Sequence, residues 1–288
     1  MFINRHFAWA VASIVALGGL GGASAADMAV KARPAPIIAP VYNWTGWYVG
    51  LNAGAVVNDT SYNLDPTGCY LLGCGVGGFA GQPARTFATR LHGSDATAGG
   101  QFGYNYQFSP LWVAGFEADI NWNGLRQSDT VVQILPTPIY FPGSTFVHTV
   151  TTSLDWFGTV RGRVGVLATP NILLYGTGGL AYGQVRSSTI AVFPPPNASD
   201  TYPGSASTTR VGWTAGAGGE WLVAGNWSIK AEYLYVDLGR FSYVAQCITP
   251  VCAQFAVNPS YTTTVTTREH VARVGLNYHF GGPVVAKY

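Results

Sequence analysis

The chain of 288 residues is apolar and nearly neutral, with 10% charged residues, 14% aromatic residues and a formal net charge of +2. Soluble proteins contain about 25% charged residues, so a soluble chain of this composition would need an unusually large core. The small net charge gives no argument for nucleic-acid binding or for steering of an acidic partner. The composition is more typical of a protein whose apolar surface meets lipid.

The N-terminus has the organisation of a secretory signal peptide. Arg5 supplies a positive charge, residues 7–20 are apolar, and Ala23-Ser24-Ala25 is a small-residue cleavage site. We therefore expect residues 1–25 to be removed and the mature chain to start at Ala26. A single membrane helix is the alternative, but the apolar run is short for a span and is interrupted by glycines.

After a proline-rich segment at residues 26–43, predicted to be an extended periplasmic linker, eight segments alternate apolar and polar residues. A period of two is typical of β-strands. In the third segment, one parity begins with Trp112 and ends with Trp122, while the other contains Glu117 and Asp119. This pattern indicates a strand with lipid on one side and a polar lumen on the other. The predicted strands cover residues 46–57, 96–108, 111–122, 154–167, 172–185, 211–223, 227–238 and 266–280.

The connections between these strands are alternately very short and very long. Short turns follow the second, fourth and sixth strands, whereas roughly 20 to 40 residues follow the others, which is the asymmetry of outer-membrane barrels. The sequence therefore predicts an all-β fold, an eight-stranded antiparallel transmembrane up-and-down β-barrel over residues 44–280. Its long loops would be extracellular, both termini would be periplasmic, and residues 281–288 would form a C-terminal extension.

The predicted lumen contains charges of both signs. An eight-stranded barrel is just wide enough for side chains to fill, and unpaired ions there would carry a large desolvation penalty. These charges predict either an ion-pair-filled plug or a narrow gated pore. A catalytic carboxylate pair is unsupported by any partner motif, so no enzyme activity is expected. The inward residues are Glu117, Asp119, Glu220, Glu232 and Glu269 facing Arg161, Arg163, Lys230 and Arg273.

Four cysteines form two Cys-x4-Cys pairs in the first and fourth predicted loops. Cys69 and Cys74 form one pair, and Cys247 and Cys252 form the other. Because the periplasm is oxidising, we expect local disulfides, with a cross-link between loops as an alternative. A metal site is disfavoured, since histidine is scarce and the Cys-x2-Cys spacing is missing. The sequence therefore predicts no cofactor.

Two other residue types could bind a ligand. His92 and His148 lie in or near predicted loops and could ligate haem or a metal, or could simply be solvated. Tryptophans cluster at the strand ends, where they predict an aromatic girdle at the lipid interface rather than a stacking site. The girdle residues are Trp44, Trp47, Trp112, Trp122, Trp156, Trp213, Trp221 and Trp227.

Four segments of the chain resemble a known family. They are residues 42–50 (YNWTGWYVG), 156–165 (WFGTVRGRVG), 174–183 (LYGTGGLAYG) and 271–280. The chain resembles the small outer-membrane β-barrel proteins of alphaproteobacteria, a porin-family group with opacity-like and haemin-binding members. The resemblance implies a barrel embedded in outer-membrane lipid and lipopolysaccharide and inserted by the barrel-assembly machinery. No haem-ligand motif of the family maps onto a particular residue here.

The predicted mature start also resembles the N-termini through which some relatives are joined to peptidoglycan. The amine of Ala26 would be the linked group, and residues 27–43 would be the spacer. The favoured function is a structural surface protein with a charge-filled interior and no catalysis. The alternatives are a small-solute porin and a haemin-binding or adhesin-type protein that acts through its loops.

Overall fold

A computed structural model describes residues 42–67, 87–134, 145–194, 200–250 and 260–281. Eight antiparallel strands in sequential order close into a barrel, which confirms the predicted fold. Among the described residues there is no helix both long and apolar enough to cross a membrane. The strands are β1 (Gly46–Thr67), β2 (Phe87–Gln107), β3 (Trp112–Ile134), β4 (Thr145–Thr169), β5 (Ile172–Val192), β6 (Thr201–Ala224), β7 (Trp227–Gln246) and β8 (Ser260–His279).

The alternation in the sequence decides which side chains face outward. On β1, Trp47, Val49 and Leu51 are exposed, while Tyr48 between them is fully buried. On β5, Leu174 is exposed and its neighbours Leu173 and Tyr175 are buried. Successive side chains of a strand point to opposite faces, so one parity forms the wall and the other fills the lumen.

Two rings of aromatic side chains bound an apolar belt around the barrel. Between the rings, no described outward-facing residue is Asp, Glu, Lys or Arg. Ten strand steps separate the rings on β3, which corresponds to about 25 Å of height for a strand tilted by about 40°. This height matches the apolar band of outer-membrane barrels. The lower ring contains Trp47, Trp112, Trp221 and Trp227, and the upper ring contains Trp122, Trp156, Trp213 and Tyr235.

Short turns join the strands at one end of the barrel, which we call the turn end; the opposite end is the loop end. In the first turn, Ser109 Oγ accepts a hydrogen bond from the Trp112 amide at 3.0 Å. In the third, Gly225 has a φ of +53°, a left-handed conformation that glycine adopts without strain. Tyr42 and Gly281 are hydrogen-bonded at the turn end, so both ends of the described chain lie there.

At the loop end the strands extend well beyond the apolar belt. Each strand has 20 to 25 residues, and the connections 68–86, 135–144, 193–200 and 247–259 are shorter than the sequence predicts. The extensions are rich in Ser, Thr and Asn, a composition that is typical of loops. They nevertheless keep the period of two, since Tyr62 and Leu64 are buried between polar neighbours.

Beyond the belt, the barrel becomes two sheets that face each other. The β2–β3 ladder ends at Thr97–Asn123 and the β6–β7 ladder ends at Trp213–Asp237, whereas the other six ladders continue to the strand ends. One sheet is therefore β7-β8-β1-β2 and the other is β3-β4-β5-β6. Pro203 pairs with Ile190 of β5, and its nitrogen faces the other side of β6, where the ladder to β7 has ended. The missing N–H therefore costs no ladder hydrogen bond.

The space between these sheets is filled by an aromatic core. We call the two sheets the protruding sandwich and this core the sandwich cluster. Sandwich folds of this kind are stabilised by interdigitating side chains from the two inner faces. The cluster contains Tyr62, Leu64, Phe87, Leu91, Phe146, Val150, Ala191, Phe193, Tyr202, Tyr243, Ala245, Cys247, Tyr261 and Val265.

Candidate functional site

Side chains fill the barrel interior in layers. From the turn end to the loop end, the strands place a turn-end cluster, an ionic layer, a middle cluster and the sandwich cluster. The turn-end cluster contains Trp44, Val113, Leu167, Leu173, Tyr175 and Leu222. The ionic layer contains Glu117, Asp119, Arg161, Arg163, Glu220, Lys230, Glu232 and Arg273. The middle cluster contains Val56, Leu125, Leu154, Phe157, Ala181, Val185, Leu234, Val236, Leu238 and Val271.

Arg161 lies at the centre of the ionic layer. Its guanidinium donates to Glu117 at 2.5 Å, to Asp119 at 2.9 Å and to Glu232 at 3.0 Å. Its Nε donates to the Thr159 hydroxyl at 2.8 Å. Arg161 therefore bridges carboxylates from two strands that are not neighbours in the sheet. Such charge-assisted bonds in a water-poor interior are stronger than neutral ones.

The other cations complete the network around these carboxylates. Lys230 donates to both Glu117 oxygens, at 2.7 and 2.8 Å. Arg273 donates to Glu232 at 2.6 Å and to Asp119 at 2.9 Å. These contacts join β3, β4, β7 and β8.

Glu220 is the second centre of the layer, nearer the turn end. It accepts from Arg163 at 3.1 Å, from Ser228 at 2.6 Å and from Asn277 at 2.7 Å. The Arg163 guanidinium also lies 4.6 Å above the Tyr48 ring, a cation–π contact. Every predicted lumen ion except Glu269 is therefore in one connected, buried network.

Several proteins are similar to this chain. The family model described as the outer membrane protein beta-barrel domain matches residues 13–280. The chain belongs to this family. A 31 kDa outer-membrane immunogenic protein of Brucella melitensis is 35% identical over 282 residues, covering 94% of this chain and 98% of the relative. A 22 kDa outer membrane protein of Rhizobium leguminosarum is 31% identical, covering 74% and 72%.

Among solved structures, the outer membrane protease OmpT of Escherichia coli is similar, with 11% identity and a TM-score of 0.45. The match covers 82% of this chain and 97% of that one. This level of similarity supports no inference about activity. Membership of the outer-membrane barrel family, however, agrees with the resemblance predicted from the sequence, and the relatives are outer-membrane proteins of Gram-negative bacteria.

Within this family member, Glu269 departs from the predicted ion pairing. Its side chain is fully buried, but its Oε1 accepts only from the Asn58 amide at 3.4 Å and its Oε2 has no described partner. The four carboxylates of the ionic layer already balance the four cations. Glu269 lies four residues along β8 from Arg273, on the far side of Val271 in the middle cluster. The expectation that it faces a cation is therefore wrong.

Replacing Glu269 with glutamine is expected to raise the free energy of unfolding at neutral pH by about 1–3 kcal/mol, because a buried, poorly partnered carboxylate is costly. Urea unfolding followed by tryptophan fluorescence measures the change. Glu232→Gln is the matched control: it removes a carboxylate that is paired with two arginines, so it is expected to destabilise the barrel. A lower midpoint for Glu269→Gln would mean that the carboxylate has a counter-ion in the folded protein.

A hydroxyl cluster links the two sheets of the protruding sandwich. The Tyr243 hydroxyl lies 2.6 Å from that of Thr189 and 3.1 Å from that of Ser187, and Ser187 lies 3.5 Å from Tyr62. Burial disfavours the phenolate and raises the pKa of Tyr62 and of Tyr243 above their ordinary value. Both phenols therefore stay protonated and act as hydrogen-bonding groups between the sheets.

The structure places the two histidines considered as ligands in different surroundings. His148 is not in a loop, as the sequence suggested, but is fully buried on β4 beside Phe87 and Phe146. Burial disfavours its imidazolium and lowers its pKa. His92 is exposed beside Asp59. The described residues include no cluster of His, Cys, Asp or Glu that could hold a metal ion.

Trp44 is the exception among the predicted girdle tryptophans. It is buried inside the turn-end cluster, where its Nε1 donates to the Pro170 carbonyl at 3.1 Å and its ring meets His279 edge-on. Its placement in the lipid girdle is therefore wrong. The reason is that residues 42–45 precede β1 and fold into the barrel mouth, so the strand alternation does not apply to them.

The cysteine and N-terminal predictions fall largely outside the described residues. Cys247 is disulfide-bonded and lies at the edge of the sandwich cluster. Its partner is one of Cys69, Cys74 and Cys252, and these, like Ala26, lie outside the described residues. The local pairing and the peptidoglycan attachment stay predictions.

Proposed function

We propose that this protein is a non-conducting structural barrel of the outer membrane. The turn end and both termini face the periplasm, and the protruding sandwich stands outside the cell. The observation that carries the proposal is the filled interior, in which two apolar clusters lie on either side of the ionic layer. Phe157, Leu234 and Val271 of the middle cluster are each fully buried.

The layered interior opposes ion flow for a physical reason. A hydrated ion would have to shed water to pass the middle cluster, and the apolar side chains there offer no replacement ligands. The ionic layer offers no free charge either, because each of its carboxylates accepts at least one bond from a cation. This argument favours the plug over the porin, and no described cleft favours catalysis.

The proposal predicts no steady conductance from the refolded mature protein in a planar bilayer. Insertion is checked separately by a heat-modifiable gel shift, and a general porin in the same bilayer shows that the assay detects open channels. Openings whose size scales with salt concentration would overturn the proposal and favour the porin.

The orientation has its own test. Cysteines introduced at Ser61 and Ser109 mark the loop end and the turn end, and labelling of intact cells with an impermeant maleimide is expected at position 61 only. Labelling at position 109 only would reverse the orientation. Wild-type cells control for the native cysteines.

A further inference from the structure

A polar groove of about 400 Å³ lies on the outer wall of the barrel, on the strands β3 to β6. It lies on the loop side of Trp122 and Trp156 of the upper aromatic ring. Apart from Ala206, the residues that line it are cationic or carry hydroxyl groups, in contrast to the apolar belt. They include Arg126, Thr151, Ser153, Arg186, Ser188 and Ser207.

The strand register arranges the groove in two rungs. In the first rung, Ser153 of β4 is flanked by Arg126 of β3 and by Arg186 of β5. Since neighbouring strands are about 4.8 Å apart, the backbones of the two arginines are about 10 Å apart. The second rung, one pleat further from the belt, consists entirely of hydroxyl residues: Ser128, Thr151, Ser188 and Ser205.

The charge of this groove is not fully compensated. Arg186 pairs with Asp155 at 3.1 Å. Arg126 is exposed and has no ion-pair partner among the residues that the structure describes. One guanidinium is therefore free to bind an anion, with a second about one strand-width beyond Ser153. Arginine is well suited to phosphate and carboxylate groups, because its planar donors can bind two oxygens at once.

The height of the groove indicates what kind of anion meets it. Trp156, whose Nε1 donates to Gln184 at 3.3 Å, belongs to the ring at the boundary of the acyl chains. Ser153 precedes Trp156 by three residues on β4, toward the loop end, so the two rungs lie at the level of lipid headgroups. The headgroup that matches both rungs has an acidic group for the arginines and sugar hydroxyls for the serines and threonines.

We propose that this groove is a binding site for the acidic sugar headgroup of an outer-leaflet glycolipid. The guanidinium groups of Arg126 and Arg186 bind its phosphate or carboxylate, and the hydroxyl rung binds its sugar. The site goes beyond a structural role, because it selects the lipid that surrounds the barrel. This proposal depends on the proposed orientation in one respect: the groove must face the outer leaflet.

The test measures binding of purified lipopolysaccharide to the detergent-solubilised full-length barrel by native mass spectrometry. Arg126→Gln/Arg186→Gln is expected to weaken binding fivefold or more, because the unpaired Arg126 contributes about a factor of five and Arg186, already paired with Asp155, contributes less. Arg90→Gln/Arg268→Gln is the matched control, because it removes two exposed arginines from the opposite sheet and is expected to keep wild-type affinity.

The competing explanations give different results. An equal loss in the control pair would show attraction by net charge alone and would overturn the proposal. Phosphatidylglycerol, which is acidic but has no sugar, is expected to bind at least tenfold more weakly than lipopolysaccharide; equal binding would overturn the glycolipid assignment. Displacement of the lipid by millimolar inorganic phosphate would show that the groove binds anions without recognising the sugar, and would overturn the glycolipid assignment. Because binding is measured in detergent, an inverted orientation would refute the proposed function without changing these results.

Discussion

Arg161→Ala is expected to lower the free energy of unfolding of the barrel by about 3–5 kcal/mol, the usual effect of breaking a buried ion pair on one side. Arg161 is the common partner of Glu117, Asp119 and Glu232, and its removal leaves four carboxylates facing three cations. The water-poor interior cannot solvate the excess negative charge. Urea unfolding of the refolded protein in detergent, followed by tryptophan fluorescence and the gel shift, measures the loss.

Two further variants separate the charge effect from the loss of a side chain. Arg186→Ala removes an exposed arginine whose ion pair with Asp155 is solvated, so it is expected to change the stability by less than about 1 kcal/mol. Arg161→Ala/Asp119→Asn restores three cations against three carboxylates while keeping the same cavity, and it is expected to recover part of the loss. If the double variant were less stable than Arg161→Ala, charge balance would not explain the ionic layer.

Much of the membrane part follows from the sequence. The alternation from Trp112 to Trp122 gives the facing of β3, and the inward charges of β3, β4, β6 and β7 lie at similar heights in an antiparallel barrel. In a narrow lumen that side chains fill, such charges have to pair, because an unpaired ion would carry a large desolvation penalty. Which residues pair with each other does not follow from the order of the strands, because Arg161 reaches Glu232 across the lumen rather than along the sheet.

The part beyond the membrane was harder to predict, because its inward positions carry hydroxyl-bearing as well as apolar side chains and its outward positions are polar. Tyr62 and Thr60 are buried although hydroxyl-bearing, so composition alone marks their segment as a loop. His148 was misplaced for the same reason. Glu269 illustrates a further limit, because a residue's parity predicts that it points inward but does not predict which layer it enters.

The layered interior links stability to the shape of the molecule. Below the upper aromatic ring, lipid covers the outer face, so polar groups can be concentrated inside. Above that ring, water covers the outer face, and the interior becomes an aromatic core as in a soluble sandwich. The same strands thus have an apolar outer face and a polar interior in the membrane, and a polar outer face and an apolar interior beyond it. The middle cluster lies at the transition between the two patterns.

Phe146→Ala is expected to destabilise the protruding sandwich by about 3–5 kcal/mol while the membrane part stays folded. Phe146 is fully buried, with its ring centroid 4.4 Å from that of Phe87 and 4.7 Å from that of Phe193. Phe87 belongs to one sheet and Phe146 to the other, and Phe193 directly follows β5 of that second sheet, so the substitution removes the central contact between the sheets. Protease digestion of the barrel in lipid vesicles measures the effect.

The expected result is faster cleavage at the loop end with an unchanged heat-modifiable core fragment. The β2–β3 and β6–β7 ladders stop at the belt, and beyond it isolated hydrogen bonds, such as that from the Ile248 amide to the Thr201 carbonyl at 3.1 Å, join the β6 and β7 sides, so side-chain packing is the main link between the sheets. Phe102→Ala is the matched control, since Phe102 faces lipid on β2 and has no role in the sandwich. Equal resistance of Phe146→Ala and the wild type would mean that the connections at the loop end, rather than the aromatic core, hold the sheets together. Loss of the core fragment as well would mean that sandwich and membrane barrel fold as one cooperative unit.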